Sequence, residues 1–201
     1  MLAFALIPLL CAAEPSLRHT EISAGLSGVG AGYTVRGGMN GDFTLGPDVR
    51  AQLLFSGVTV DSAFLLSVPT DALGVATSST LTLRLGYTAE RFQILLGAVA
   101  QYAQEAQPAL QLLPSVRAEA EFTKRLRFSA SLFGHHGLAP VELAWEQESF
   151  SVGYLPPLGG SFQLRVPVGG EVALSVGALA FRLYNTDVAM VSVAGVLGVQ
   201  R

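Results

Sequence analysis

The sequence contains little charge, a single cysteine and no long hydrophobic run beyond its first residues. Charged residues make up 13% of the 201 positions, about half the share that is usual in soluble domains. A net charge of −3 at pH 7 argues against a nucleic-acid-binding protein, which carries a basic excess. The hydrophobic content of 50% excludes an intrinsically disordered chain. No later apolar run approaches the roughly 18 residues of a transmembrane helix, so the hydrophobic residues must belong to other elements.

Residues 1–13 form the most hydrophobic segment of the chain and end in small residues just before Glu14. An apolar stretch followed by small residues is typical of a secretory signal peptide. We therefore expect cleavage after Ala13, which leaves residues 14–201 as a single domain. The only cysteine, Cys11, lies in the removed segment, so we expect the exported chain to lack disulfide bonds. A buried first strand is the alternative interpretation of this segment.

Apolar and polar residues alternate along most of the remaining chain. From Phe43 to Phe55 every second residue is apolar, and the intervening positions include Asp48 and Arg50. Residues 110–122 repeat the pattern. A period of two places successive side chains on opposite faces of a β-strand, whereas a helix requires a period near 3.6. These segments are therefore predicted to be strands with one apolar and one polar face.

Applied to the whole chain, this alternation predicts twelve strands. They span residues 20–33, 43–56, 57–68, 79–88, 91–102, 110–122, 126–135, 140–146, 149–155, 161–168, 172–183 and 188–200. The connections alternate between tight turns and longer loops, so the short turns gather on one rim together with both termini. An even number of antiparallel strands with this asymmetry is typical of an outer-membrane barrel. We predict an all-β, antiparallel, up-and-down transmembrane β-barrel of about twelve strands, with eight or ten strands as alternatives.

The tight turns also predict how neighbouring strands pair, because the turn sets the register. Two-residue turns are expected at Ser56-Gly57, Ala89-Glu90 and Gln147-Glu148, and a three-residue turn at 123–125. The resulting pairs are Phe55 with Val58, Gln52 with Asp61, Tyr87 with Phe92, Leu85 with Ile94, Ala120 with Phe128, Glu121 with Arg127, Trp145 with Phe150 and Leu143 with Val152. In all four hairpins apolar residues face apolar ones, which supports the strand assignment.

Aromatic residues on the apolar face cluster near both ends of the strands. Near the tight turns lie Phe55, Tyr87, Phe92, Phe122, Trp145 and Phe150, and near the opposite rim lie Phe43, Phe64, Tyr102, Tyr154 and Phe162. Mostly aliphatic residues lie between them. Two aromatic belts around an aliphatic band suit a barrel that crosses a bilayer. The alternatives are a soluble β-sandwich and a lipocalin-like barrel, whose apolar faces point inward.

With its apolar leader, alternating strands, aromatic belts and turn asymmetry, the chain resembles the bacterial outer-membrane β-barrel proteins over nearly its whole mature length. The resemblance implies a place in the outer membrane of the Gram-negative cell envelope. It also implies contact with outer-membrane lipid and insertion by the barrel-assembly machinery. No nucleic acid, cofactor or metal is expected as a partner, and the oligomeric state stays open.

The polar face is expected to line the lumen of this barrel. It carries the charged residues Glu21, Asp48, Arg50, Asp61, Arg84, Arg117, Glu119, Glu121, Arg127, Glu142, Glu146 and Arg165. Acidic and basic residues nearly balance in this row. A barrel of about twelve strands lies between small packed barrels and wide porins. Its interior is therefore either a narrow, porin-like wet channel or a closed network of paired charges.

Signals for catalysis are weak in this chain. Ser131 with His135 or His136 is a candidate pair for a lipid hydrolase, but we expect both histidines to face water at a rim. The chain is therefore predicted not to be an enzyme, with a lipid-modifying outer-membrane enzyme as a remote alternative. The favoured function is a narrow passive channel for small polar solutes. The main alternative is a non-transporting barrel with a structural or surface-interaction role.

Overall fold

The alternating segments form twelve strands that close into one barrel. The structure is a computed structural model that describes residues 20–35, 38–70, 77–89, 91–104, 109–123, 126–147, 149–183 and 186–199. The strands are β1 (Thr20–Val35), β2 (Gly38–Phe55), β3 (Val58–Pro69), β4 (Ser78–Thr88), β5 (Phe92–Ala103), β6 (Ala109–Thr123), β7 (Leu126–Gly134), β8 (Ala139–Glu146), β9 (Phe150–Tyr154), β10 (Leu158–Gly169), β11 (Val172–Leu183) and β12 (Thr186–Val199). Each strand pairs with its sequence neighbours, and β12 pairs antiparallel with β1. The predicted all-β antiparallel barrel is confirmed, with twelve strands.

Two features of the prediction concern segments before and between the strands. The predicted signal peptide at residues 1–13, and the start of the domain at residue 14, lie outside the described residues. Between β7 and β8, the segment His135–Gly137 forms a short 3-10 turn. No helix in the part of the chain that the structure describes is long and apolar enough to cross a membrane.

Two of the four predicted hairpin registers are confirmed. The observed pairs are Phe55 with Val58, Gln52 with Asp61, Ala120 with Phe128 and Glu121 with Arg127. Ser56 and Gly57 both have positive φ, at 48° and 85°, as a two-residue hairpin turn matched to the strand twist requires. The turn residues and the apolar pattern agree at these hairpins, so the register is determined locally.

The other two predicted registers are wrong by two residues. The observed pairs are Tyr87 with Ile94, Leu85 with Leu96, Trp145 with Val152 and Leu143 with Tyr154. Each hairpin closes one residue later than predicted, because the Ala89 N–H donates to the Phe92 carbonyl at 2.8 Å and the Gln147 N–H donates to the Phe150 carbonyl at 2.7 Å. Moving a turn by one residue shifts the pairing by two and leaves every side chain on its face. The alternating pattern therefore fits both registers equally well.

The first hairpin is longer than the sequence predicts. Residues 34–42 were expected to form a loop, but the pairing of β1 with β2 continues to Val35 opposite Gly38. Glycine and asparagine in this stretch have low strand propensity. The ladder that begins between the better strand formers nevertheless extends through them, because each strand supplies hydrogen-bond partners to the other.

The apolar face of the sheet points outward and the polar face points into the barrel. On β2, Val49 is 42% exposed, whereas its neighbour Asp48 is 4% exposed. The same alternation places Leu83 and Leu85 outside and Thr82 inside on β4. A soluble sandwich or a lipocalin-like barrel would bury its apolar face. The observed orientation contradicts both of these alternatives.

Candidate functional site in the barrel interior

An apolar cluster, here called the cap, occupies the loop-side half of the interior. The loop side is the end where β1 joins β2, and the turn side is the end where β2 joins β3. The buried members of the cap are Leu65, Ala139, Leu155, Leu179, Phe181 and Met190, and the residues packed against them are Val29, Leu138 and Val188. Apolar side chains offer no hydrogen bonds to a polar solute. The cap therefore makes the loop-side part of the interior apolar, in contrast to the turn-side part.

The turn-side half contains a polar cavity of about 240 Å³, here called the chamber. Its wall consists of residues from β1 to β3 and from β6 to β12. Seven serines contribute to the wall: Ser23, Ser129, Ser131, Ser151, Ser161, Ser175 and Ser192. Leu179 and Met190 belong to both the cap and the chamber wall. The cap thus forms the loop-side end of the chamber.

Ion pairs across non-adjacent strands stiffen the chamber wall. Arg117 on β6 contacts Glu119 through Nε at 2.6 Å and Glu146 on β8 through Nη2 at 3.1 Å. Arg165 on β10 donates to Glu21 on β1 at 2.8 Å. Charged groups inside a protein are tolerated when they are paired and hydrogen-bonded. These pairs hold the walls of the chamber in a defined arrangement.

Asp48 accepts hydrogen bonds from several side chains inside the barrel. Its Oδ2 accepts hydrogen bonds from Ser27 Oγ at 2.8 Å and from Arg50 Nη2 at 3.1 Å. Its Oδ1 accepts one from Arg50 Nε at 3.2 Å and lies 3.1 Å from Nε2 of His136. Since an ionised carboxylate only accepts hydrogen bonds, this contact requires a proton on Nε2. Asp48 therefore ties the wall of β1 and β2 to the 3-10 turn.

The chain between β7 and β8 folds into the lumen instead of extending over the rim. Gln101 on β5 donates to the His136 carbonyl at 3.2 Å, and Ser115 on β6 donates to the Leu132 carbonyl at 3.2 Å. Phe133 and His136 have φ values of 50° and 59°, a region that non-glycine residues seldom adopt. Contacts from several strands thus hold an unfavourable backbone conformation inside the barrel.

Most of the predicted charged row lies around the chamber. The residues of the row that line it are Glu21, Asp48, Arg50, Asp61, Arg117, Glu119, Arg127, Glu142, Glu146 and Arg165. Arg84 is buried beside Asp61, with Nε 3.0 Å from Oδ2, and does not line the chamber. Glu121 lies opposite Arg127 in the β6–β7 ladder and is also absent from the chamber wall.

The expected position of His136 at a water-facing rim was wrong. Its side chain is buried inside the barrel against Asp48, and the residue is only 2% exposed. Nothing near His136 in the sequence indicates this position, because its partner lies 88 residues away. The sequence also did not predict the cap, although Phe64, Leu65 and Leu66 are apolar on both faces of one strand and Leu65 belongs to the cap.

The candidate catalytic pair is only partly visible in the structure. Ser131 lines the chamber, whereas the side chain of His135 lies outside the described part. Across the described residues, no group of three or more His, Cys, Asp or Glu side chains is arranged to hold a metal ion.

The predicted aromatic belt residues all share the outward face of their strands. The strongly exposed ones are Phe43, Phe55, Phe64, Tyr102, Phe122, Trp145, Tyr154 and Phe162. Tyr87, Phe92 and Phe150 are partly exposed. The Tyr154 hydroxyl donates to the Pro157 carbonyl at 3.0 Å, so its ring stands near the loop-side rim. The outward surface thus has aromatic residues toward both rims.

Comparisons with known proteins identify only distant structural likenesses. Neisserial surface protein A is 11% identical over 88% of this chain and 96% of its own, with a TM-score of 0.35. The attachment invasion locus protein Ail of Yersinia pestis is 9% identical over 90% of this chain and 100% of its own, with a TM-score of 0.33. A triple mutant of the Rhodopseudomonas blastica porin is 10% identical over 89% and 100%, with a TM-score of 0.26. No protein-family model matches the chain, and no curated protein matches it by sequence. These likenesses are too distant to assign a function.

Proposed function

We propose that this protein is an outer-membrane β-barrel whose lumen forms a narrow passive channel for small polar solutes. The observation that carries the membrane assignment is the distribution of polarity: an apolar surface faces outward and a charged cavity lies inside. Soluble proteins rarely expose apolar patches of more than a few hundred Å². An outward apolar band around the whole barrel is what contact with lipid requires.

The height of the outward band fits a bilayer. Phe43 and Phe55 lie near opposite ends of β2 on its outward face. Twelve residues at about 3.4 Å each, tilted by about 40°, span about 30 Å along the barrel axis. The hydrocarbon core of a bilayer is also about 30 Å thick. The two aromatic belts would then lie at the two interfaces, where aromatic rings are favoured.

The chamber supports the channel part of the proposal. Among the described residues its wall contains six carboxylates and four arginines, a formal excess of two negative charges. Serine hydroxyls between these groups can replace part of the hydration of a small solute. A lumen of this kind would admit small polar molecules, with a weak preference for cations.

The proposal is tested on purified, refolded protein. We expect the folded protein to enter lipid vesicles, to show heat-dependent mobility on gels and to give small discrete current steps in planar bilayers. Recovery as a water-soluble monomer would contradict the membrane assignment. Complete insertion without any current steps, under all voltages and salts, would contradict the channel.

A non-transporting structural barrel is the second candidate function. The apolar cap favours it, because the six buried cap residues make the loop-side part of the interior apolar. The two candidates differ in whether the cap can move. A barrel with a permanent cap would insert into bilayers, remain electrically silent and lose stability when cap residues are truncated.

A further inference from the structure

The segment from Phe133 to Leu138 lies on the loop side of the chamber and contacts both Asp48 and the cap. Phe133 and Gly134 end β7, Gly134 pairs with Ala139, a buried member of the cap, and residues 135–138 between them turn into the lumen. Leu138 packs against the same apolar cluster. His136, two residues before Leu138, reaches the chamber wall at Asp48. The segment thus contacts both the cap and the hydrogen-bond network around Asp48.

The inward conformation of this segment depends on specific contacts. Phe133 and His136 occupy left-handed backbone conformations that cost free energy for residues with a side chain. At Gly137, where φ is 80°, an added Cβ would lie 2.6 Å from Gln101 Nε2. The backbone conformation of Phe133 and His136 costs free energy, so it persists only while neighbouring residues stabilise it. Removing a stabilising contact should therefore release the segment toward the loop side.

The contact between His136 and Asp48 is the strongest candidate for that stabilising role. β2 and β8 lie on opposite sides of the ring of twelve strands, so the contact crosses the lumen. Asp48 is also held by Ser27 and Arg50, and it therefore stays in place when the histidine leaves. A purely structural plug would be better served by an apolar side chain, since burying a polar pair costs desolvation.

We propose that residues 135–138 form a gate over the chamber, and that the His136–Asp48 contact is its latch. When the latch opens, His136 and Leu138 leave the lumen, the wall residues of the cap lose the apolar partner that packs against them, and a path opens from the chamber to the loop side of the barrel. The gate rests on the proposed channel function and explains how a lumen with an apolar cap can conduct. In the latched state the lumen is closed, so the protein conducts only in brief openings.

The test compares latch variants with the unmodified protein in planar bilayers. Asp48→Asn and His136→Ala should each raise the open fraction about tenfold or more, as expected for the loss of one charge-assisted hydrogen bond. Asp187→Asn is the matched control, because Asp187 pairs with Arg182 at 3.2 Å on the exposed surface and neither lines the chamber nor touches the latch. Its open fraction should equal that of the unmodified protein. Heat-dependent gel mobility verifies that each variant is folded.

A second measurement reports the movement of the segment through its accessibility to a thiol reagent instead of through ion current. Leu138→Cys, with Cys11→Ser where the leader is retained, provides one thiol at the edge of the cap. A membrane-impermeant thiol reagent should label it slowly in the latched protein and about tenfold faster when Asp48→Asn or His136→Ala is added. Equal labelling rates with and without the latch would overturn the gate.

The two measurements separate the gate from the channel. Faster labelling together with larger open fractions supports both. Current steps of unchanged frequency in the latch variants overturn the gate and leave the channel in place. Faster labelling without current in any variant supports a mobile segment and overturns the channel. Because His136 lies in a loop, we expect His136→Ala to fold. Its open fraction and labelling rate therefore test the gate even if Asp48→Asn does not fold.

Discussion

His136 and Asp48 meet inside the barrel, with Nε2 3.1 Å from Oδ1, although 88 residues separate them in the sequence. The contact joins the turn after β7 to the middle of β2 on the opposite wall. It marks the boundary between an apolar cap and a polar chamber. This division of the interior distinguishes the barrel from an open porin and from a barrel filled by a uniform polar network.

The outward face of β2 should tolerate charge poorly. Val49→Arg places a guanidinium in the middle of the apolar band, and we expect it to cost about 2 to 4 kcal/mol of folding stability in lipid. The measurement is the folded fraction in vesicles over a urea series, read from gel mobility. Gln52→Arg, three positions along on the inward face, is the matched control and should cost much less. Equal losses at both sites would show that the two faces are assigned wrongly.

Arg117, which bridges two carboxylates, should contribute to the free energy of unfolding. Arg117→Met leaves Glu119, which is almost fully buried, and Glu146 without their guanidinium partner. We expect the free energy of unfolding to fall by about 2 to 4 kcal/mol, because both carboxylates lose their compensating positive charge while they remain largely buried. The urea midpoint of the folded protein in detergent provides the value.

Arg165→Met is the comparison for this prediction. Arg165 and Glu21 are each about one-third exposed, so their pair is screened by water and should contribute about 1 kcal/mol or less. If Arg165→Met lowered the free energy of unfolding as much as Arg117→Met, both ion pairs would be equally shielded from water, and the chamber would hold little water.

The charge preference of the channel should depend on which acid is removed. Glu142 lines the chamber and accepts a hydrogen bond from Ser161. Glu142→Gln removes one of two excess negative charges, and we expect the cation-to-anion permeability ratio to fall by roughly twofold. Glu121→Gln makes the same change in charge outside the chamber wall and should shift the ratio less. Reversal potentials in a salt gradient measure both, and an equal shift would contradict the assignment of the conducting wall.

The alternating pattern predicted most of the fold because period two determines which face each side chain occupies. It could not determine the registers after Ala89 and Gln147, since a shift of two residues preserves both faces. Those registers depend on the hydrogen bonds that close each hairpin. Local residue patterns contain no information about which of two such closures is better.

The interior site was predictable only in part. Residues such as Arg117 and Glu142 could be placed on the inward face from the alternation alone. The inward turn of His136 could not, because contacts with Asp48 and Gln101 from distant strands stabilise it. The cap left a weak signal at Leu65, where an inward position carries an apolar residue that the two-face rule would make polar.

The most direct test of the central claim is the accessibility of successive positions along β2 in a lipid bilayer. Nitroxide labels on single cysteines at positions 48 to 54 report contact with oxygen, which concentrates in lipid, and with a polar relaxation agent, which stays in water. We expect oxygen accessibility to alternate with a period of two residues, so that positions 49, 51 and 53 are accessible to oxygen and positions 48, 50 and 52 are protected from it. Uniform accessibility to the polar agent along the strand, or an oxygen maximum at the even positions, would contradict a barrel whose apolar face meets lipid.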